Sequence, residues 1–448
     1  MFERNVIKEL EKWAGKINCK PLILRGSRQV GKTTLVDSFA ERFENYLYLN
    51  FEKNPRAMAL FEKEQEIDDL VAEIFLFCDK EKQSGKTLLF IDEIQNSKTA
   101  ITKLRYFYEA KISDLYVIAA GSLLETMLSK KTSFPVGRVE YLAVRPCTFN
   151  EFLRATGEKI LEKALLDRRI PEALHDRTMN LFNTFALIGG MPEIVADYAE
   201  NKDFVRLNSI YESLLTGYRD DVAKYAENST MSQTIRYILK SGWKFAVQRI
   251  TLGGFADSSY KAREMGEAFR TLEKTFVLEL CYPTTDFLVP ITQDLKRSPK
   301  LLWLDCGLVN YAANLQKEVF GAKDILDAYR GKIAEQIVAQ ELLALDSRVS
   351  NQRNFWVREK HTSQAEVDFV LQFDSKVIPI EVKSGHNAHL KSLHLFMDEA
   401  PHDIAVRIWS QPFSTDEVTT QKGKKFKLIN LPFYYIGALE KALEKVTN

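Results

Sequence analysis

Short, continuous apolar runs mark the first part of the chain: Leu22-Ile-Leu, Tyr46-Leu-Tyr-Leu-Asn-Phe51, Leu88-Leu-Phe-Ile91 and Leu115-Tyr-Val-Ile-Ala-Ala120. Runs of this length without alternation describe strands buried on both faces, as in a parallel sheet covered by helices. Ile67 to Lys80 has the period of one such helix. From Asn150 to Lys224 the pattern is helical, broken at Gly189-Gly-Met-Pro192, and predicts a helical lid. Residues 231–290 predict short helices, a Gly253-Gly turn, a helix near Lys261 to Lys274, and apolar strands around Val277 to Cys281 and Phe287 to Ile291. Helix, turn, helix and hairpin describe a winged-helix-like segment. Beyond it, Lys332 to Leu345 is helical, and residues 366–383 alternate as two strands about Asp374-Ser375. The fold class is therefore α/β in four parts: a parallel-sheet core over 1–150, a lid over 151–224, a winged-helix-like segment over 225–300, and an α/β unit over 301–448.

The 448 residues suffice for about three domains that need no covalent staples. Lys and Arg total 62 against 61 for Asp and Glu, a net charge of +1, so no global field announces nucleic acid or membrane. Any basic groove must be local. The five cysteines, Cys19, Cys78, Cys147, Cys281 and Cys306, are scattered with neither metal-ligand spacing nor a paired framework, which suits a reducing cytosol. No stretch approaches the ~20 apolar residues of a membrane helix, and the N-terminus lacks the apolar core of a signal peptide. The expectation is a soluble, cytoplasmic protein.

Candidate chemistry begins where the first strand meets Gly26-Ser27-Arg28-Gln29-Val30-Gly31-Lys32-Thr33-Thr34. Two glycines let successive N–H groups and a helix start converge on one anion. Lys32 then reaches the β and γ phosphates of a nucleotide, and Thr33 offers its hydroxyl to Mg²⁺. The spacing excludes a dinucleotide fingerprint, which requires Gly-x-Gly-x-x-Gly. Asp92 and Glu93 end a central strand, where α/β sheets place their ligands. Asp92 is expected in the Mg²⁺ shell and Glu93 beside the attacking water. Ser122, at the tip of the next strand, suits contact with the γ phosphate, and equally suits a helix N-cap. Arg138 suits a finger reaching into a neighbouring copy of the chain, or a surface pair with an acid such as Glu140.

These landmarks resemble an AAA-type ATPase of the archaeal-ATPase-like branch, in particular prokaryotic proteins that carry a C-terminal domain of unknown function. Arg145-Pro-Cys-Thr-Phe-Asn-Glu-Phe152, Gly189-Gly-Met-Pro-Glu193 and Leu304-Asp-Cys-Gly-Leu308 are similar to further segments of that family. The likeness implies ATP and Mg²⁺ as ligands. It assigns no task to the later segments.

In the last unit a two-residue turn at Asp374-Ser375 places Phe373 beside Lys376, Asp368 opposite Glu381, and Glu366 opposite Lys383. Val367, Phe369 and Leu371 then share one face with Ile378, Ile380 and Val382, leaving Asp368, Glu381 and Lys383 together on the other. Two carboxylates across a ladder can share a divalent cation. Glu335 falls on an apolar stripe of the helix from Lys332, where a carboxylate needs a partner. Helix Glu, then Asp, then Glu-x-Lys resembles the PD-(D/E)xK nucleases, with Glu335, Asp368, Glu381 and Lys383 at the matching positions. No proline precedes Asp368, a departure from the pattern. A solvated amphipathic hairpin fits the same residues.

The remaining signals are weaker. Lys261, Arg263, Arg270 and Lys274 would face phosphates if the winged segment bound DNA or RNA, and are otherwise solvated. Lys422-Gly-Lys-Lys-Phe-Lys427 reads as a charged turn, and His386 with His389 as loop residues. Two functions stay open. One is an ATPase that couples MgATP hydrolysis to nucleic-acid binding or cleavage; the other is an ATP-dependent switch or scaffold with a non-catalytic nuclease-like fold.

Overall fold

The computed structural model describes residues 2–121, 137–314, 331–358, 365–383 and 390–447. Strands β1 (Leu22–Arg25), β2 (Asn45–Asn50), β3 (Thr87–Asp92), β4 (Leu115–Ala120) and β5 (Glu140–Ala143) form one sheet in the order β2-β3-β4-β1-β5, every pair parallel. Alternate residues enter two cores, as the pleat requires. Leu22, Leu24, Phe90 and Ile118 pack under the helix Lys32–Ala40, whereas Ile23, Leu89, Ile91 and Val117 pack with Leu70, Ile74 and Leu104 of the helices Ile67–Phe77 and Lys98–Glu109. Because β1 lies inside the sheet, between β4 and β5, the loop after it opens on the carboxyl edge with a strand on either side. In register there, Asn50 lies beside Asp92 and Asp92 beside Ala120.

Five helices from Phe149–Ala155 to Phe204–Tyr225 fill the stretch expected to be a lid. The C-terminal stretch Phe433–Ala438 returns to it: Tyr434 meets His175 at 2.9 Å, and Phe182 stacks on Phe433 with ring centroids 5.8 Å apart. One buried cluster therefore runs from the first sheet through the lid into the last unit.

The middle segment supplies the helices Ser229–Ser241 and Ala262–Lys274 and an antiparallel pair, β6 (Leu278–Cys281) with β8 (Lys300–Trp303). The second strand is not at Phe287–Ile291, as the apolar pattern suggested. Between the two strands the chain crosses to the last unit, adding β7 (Pro283–Thr284) to its sheet. Phe287 packs on Trp356 and Phe396 at 5.5 and 5.0 Å, so these apolar residues serve a neighbouring core.

Strands β9 (Asn354–Val357), β10 (Glu366–Phe373), β11 (Lys376–Lys383), β12 (Ile404–Trp409), β13 (Ser414–Thr419) and β14 (Lys425–Pro432) complete that sheet in the order β13-β14-β12-β11-β10-β9-β7. The β10–β11 register runs from Phe373 opposite Lys376 to Phe369 opposite Ile380. Asp374 and Ser375 have φ of 43° and 58°, the left-handed pair of a tight hairpin. The ladder expectation fails nearer the strand start. A register shift against β9 between Val367 and Val370 sends Val367 to the core of Val370 and Trp356, away from Phe369.

Candidate functional site

The phosphate cradle forms because backbone geometry permits nothing larger at two points. A Cβ on Gly26 would stand 2.3 Å from the Val144 carbonyl oxygen, and Gly31 has φ of 85° where it caps the helix Lys32–Ala40. Lys32 folds back so that Nζ donates to the carbonyls of Gly26 and Ser27 at 3.0 and 2.8 Å. Its burial lowers the ammonium pKa to about 8, against the upward pull of Glu93 and Asp92. Thr33 Oγ1 donates to Asp92 Oδ2 at 2.9 Å, and Tyr48 and Asn50 reach the same oxygen at 3.3 Å each. These oxygen donors suit Mg²⁺.

Glu93 sits beyond the strand with φ of 54°, its carboxylate taking the Gln95 amide. Burial raises its pKa, as does Asp92, while Gln95 opposes the shift. A cleft of about 510 Å³ is lined by Arg28, Gln29, Gly31, Lys32, Thr33, Thr34, Asp92 and Glu93. Ser27 and Val30 are buried behind it. Ser122 lies outside the described residues. Arg138 is half-exposed and pairs with Glu109 at 3.2 Å; Glu140, the acid named from sequence, pairs with Lys16.

Several residues at this site carry no local sequence signal. Arg4 donates to the carbonyls of Val30 and Arg145 at 3.2 and 2.7 Å, fastening the cradle from outside. Asp221 of the lid binds the Arg28 guanidinium, and the Tyr218 hydroxyl donates to the Arg28 carbonyl at 3.2 Å. Pro192 and Glu193 complete the cleft wall. Two of the three segments that carried only a family likeness meet here: the Gly190 N–H donates to Asp305 Oδ2 at 2.6 Å, while Asp305 Oδ1 caps the next helix through Leu308 N–H at 3.0 Å. Burial pushes the Asp305 carboxyl up to about 6, with those backbone N–H groups pulling the other way.

In the last unit the expected acids share one neighbourhood, but its centre is a lysine. Lys300, at the start of β8 and 2% exposed, places Nζ 2.6 Å from Glu335, 2.8 Å from Glu366 and 4.0 Å from Asp368. Burial alone would lower this ammonium; the three carboxylates outweigh it and hold the group protonated. Glu335 is pushed up to about 8 by burial, with Lys300 opposing and Asp368 adding to the rise. Lys383 pairs with Glu381 at 2.8 Å, and Val382 N–H donates to Asp368 Oδ2 at 2.8 Å. Glu381 is pushed up to about 7 by burial and by Asp368, and its Oε2 is buried without a hydrogen-bond partner. Among the described residues no group of three or more His, Cys, Asp or Glu side chains is disposed to hold a metal ion. Each acid of the divalent pair expected from sequence instead has its own cation nearby: Lys300 Nζ lies 4.0 Å from Asp368, and Lys383 pairs with Glu381.

The basic segments singled out from sequence lie at the surface. Lys261, Arg263, Arg270 and Lys274 are all exposed, and Arg263 pairs with Glu267 at 3.0 Å. The Lys422 run is the β13–β14 turn, with Lys425 pairing Glu417 at 3.1 Å. His386 and His389 lie outside the described residues. No described helix is long and apolar enough to cross a membrane.

Comparison with known proteins agrees with the first site. Residues 18–153 match the family described as AAA domain, and residues 179–319 and 330–434 match two domains of unknown function, DUF8612 and DUF4143. No curated protein matches the chain. Among solved structures, the chain is similar to a Walker-type ATPase of Pyrococcus abyssi at 15% identity, over 70% of this chain and 96% of that one, with a TM-score of 0.43. It is also similar to the Thermotoga maritima RuvB Holliday junction branch migration motor at 16% identity, over 66% and 93%, with a TM-score of 0.28. The family match and the cradle geometry together make residues 18–153 an AAA-type P-loop ATPase domain.

Proposed function

We propose that the chain is an ATP-driven switch that binds and hydrolyses MgATP at the cradle and passes the change to its middle and C-terminal parts. The observation that carries this reading is the gathering of Lys32, Thr33, Asp92 and Glu93 at one cleft, with Lys32 held only by loop carbonyls. Phosphate oxygens would replace those carbonyls as its partners. Thr33 and Asp92 would hold Mg²⁺, which when bound neutralises phosphate charge. Glu93 orients the attacking water, Ser122 senses the γ phosphate, and Arg138 is exposed enough to reach a second copy of the chain. Output runs through Asp221 and Tyr218 on the lid, and through the Gly190–Asp305 bond. Titration of a fluorescent ATP analogue tests it: Lys32→Ala should abolish binding, and Glu93→Gln should keep binding while stopping phosphate release. Unchanged affinity in Lys32→Ala would sink the proposal.

A second reading, metal-dependent cleavage of DNA or RNA by Glu335, Asp368, Glu381 and Lys383, is favoured by the clustering of those residues and by the unpartnered Glu381 oxygen. The winged segment would then present the nucleic acid. Lys300 favours the switch instead, because it neutralises the acids without a metal. Cleavage of branched or duplex DNA in Mn²⁺, lost in Asp368→Ala, would establish the second reading.

A further inference from the structure

A recess of about 780 Å³ opens where the first sheet, the middle segment and the last unit meet. Its walls include Arg25 at the end of β1, Arg145 just after β5, Lys274, Phe276, Glu279 and Arg353. Both acids that line it, Glu273 and Glu279, are already engaged, and Glu273 takes the Leu280 N–H at 2.9 Å. Glu279 takes the Arg353 backbone N–H at 2.9 Å and its Nε and Nη2 at 3.1 and 2.8 Å. Asp346, the other acid that acts on Arg145, pairs with Arg348 at 2.5 Å. Arg145 Nε is buried and has no hydrogen-bond partner. Its guanidinium lies over the Phe276 ring at 5.1 Å, and the Arg25 guanidinium lies over the same ring at 5.5 Å.

Arg145 is left in a poor resting state: a ring face offers its guanidinium only a weak attraction, and its buried Nε donor with no acceptor carries an uncompensated desolvation cost. An oxyanion in the recess would supply the missing acceptor, since the planar arginine fork matches phosphate. The volume exceeds what bare phosphate needs and suits a ligand of metabolite size. We propose that this recess binds the phosphate group of a small phosphorylated molecule, with Arg145 as the principal donor and Arg25 and Lys274 flanking it. Arg25 directly precedes Gly26, so occupation bears on the cradle through one peptide unit.

The test uses inorganic pyrophosphate in calorimetric titrations of the full chain without nucleotide. Lys32→Ala removes the cradle and should leave one binding event; adding Arg145→Gln should remove it, and adding the exposed-site change Lys274→Ala should weaken it about threefold. Without pyrophosphate, Arg145→Gln should not lower the melting temperature, because it deletes an unsatisfied group. A melting temperature lowered by several degrees would show Arg145 already satisfied and would overturn the proposal. So would pyrophosphate binding that is absent in Lys32→Ala, or undiminished when Arg145→Gln is added. Competition by a short DNA duplex would reassign the recess to nucleic-acid phosphate and overturn the small-molecule assignment.

Discussion

Lys32 and Lys300 are both buried lysines set among carboxylates, yet the protein holds them in opposite ways. Lys32 rests on two backbone carbonyls, and burial lowers its pKa to about 8. Lys300 touches Glu335 and Glu366 directly, and its pKa is raised. Carbonyl dipoles restrain a cation without neutralising it, so Lys32 stays available to an incoming anion. Carboxylates neutralise it, so Lys300 is committed to the fold. The same side chain marks a ligand site in one place and an internal counter-ion in the other; the partner decides which.

The largest expected effect comes from breaking the committed lysine. Lys300→Met leaves Glu335, Glu366 and Asp368 without their cation, and should cost about 3–5 kcal/mol in urea unfolding. Millimolar Mn²⁺ should restore part of that loss in the variant and leave the wild type unmoved; an equal Mn²⁺ response in both proteins would dissolve the distinction between the two lysines. Lys32→Met gives the converse. With no nucleotide bound it should leave stability unchanged or raise it by about 1 kcal/mol at pH 7, since a lowered ammonium pKa disfavours the charged folded state.

Glu341 supplies a control, a buried carboxylate with no such cation. Burial pushes it up to about 8, opposed by the Phe149 N–H that donates to it at 3.1 Å. The folded state therefore binds this proton more tightly than the unfolded chain. Its contribution is complete below the ordinary carboxylate value and is lost as pH rises through about 8. Glu341→Gln should accordingly stabilise by roughly 2 kcal/mol at pH 8 and by nothing below pH 4, read from thermal melts across that range. The smallest effect belongs to the exposed pair of Arg138 and Glu109. Arg138→Ala should change stability by at most about 0.5 kcal/mol, so a large fall in ATP turnover in that variant would point to a finger acting between copies.

The features legible in the sequence are those that lie close along the chain. The cradle is contiguous from Gly26 to Thr34, and a two-residue turn sets the hairpin register through Phe369 and Ile380. Val367 escaped that reading because a bulge depends on the neighbouring strand β9. Phe287 to Ile291 looked like a strand because burial in another unit's core leaves the same apolar signature. Arg4, Asp221 and Lys300 had no local mark. Arg4 lies 141 positions from the Arg145 carbonyl it holds, and Asp221 lies 193 from Arg28. Only the assembled chain brings them together.

The Gly190–Asp305 bond also bears on how such a protein can be divided. The turn that lines the nucleotide cleft borrows its acceptor from a residue more than a hundred positions later. A fragment ending before Asp305 would lose that acceptor together with the helix Cys306–Ala312 that the same carboxylate caps. The ATPase domain and the C-terminal units are thus poor candidates for separate expression or for recombination at the apparent boundaries, and an insertion that spares both halves must fall elsewhere.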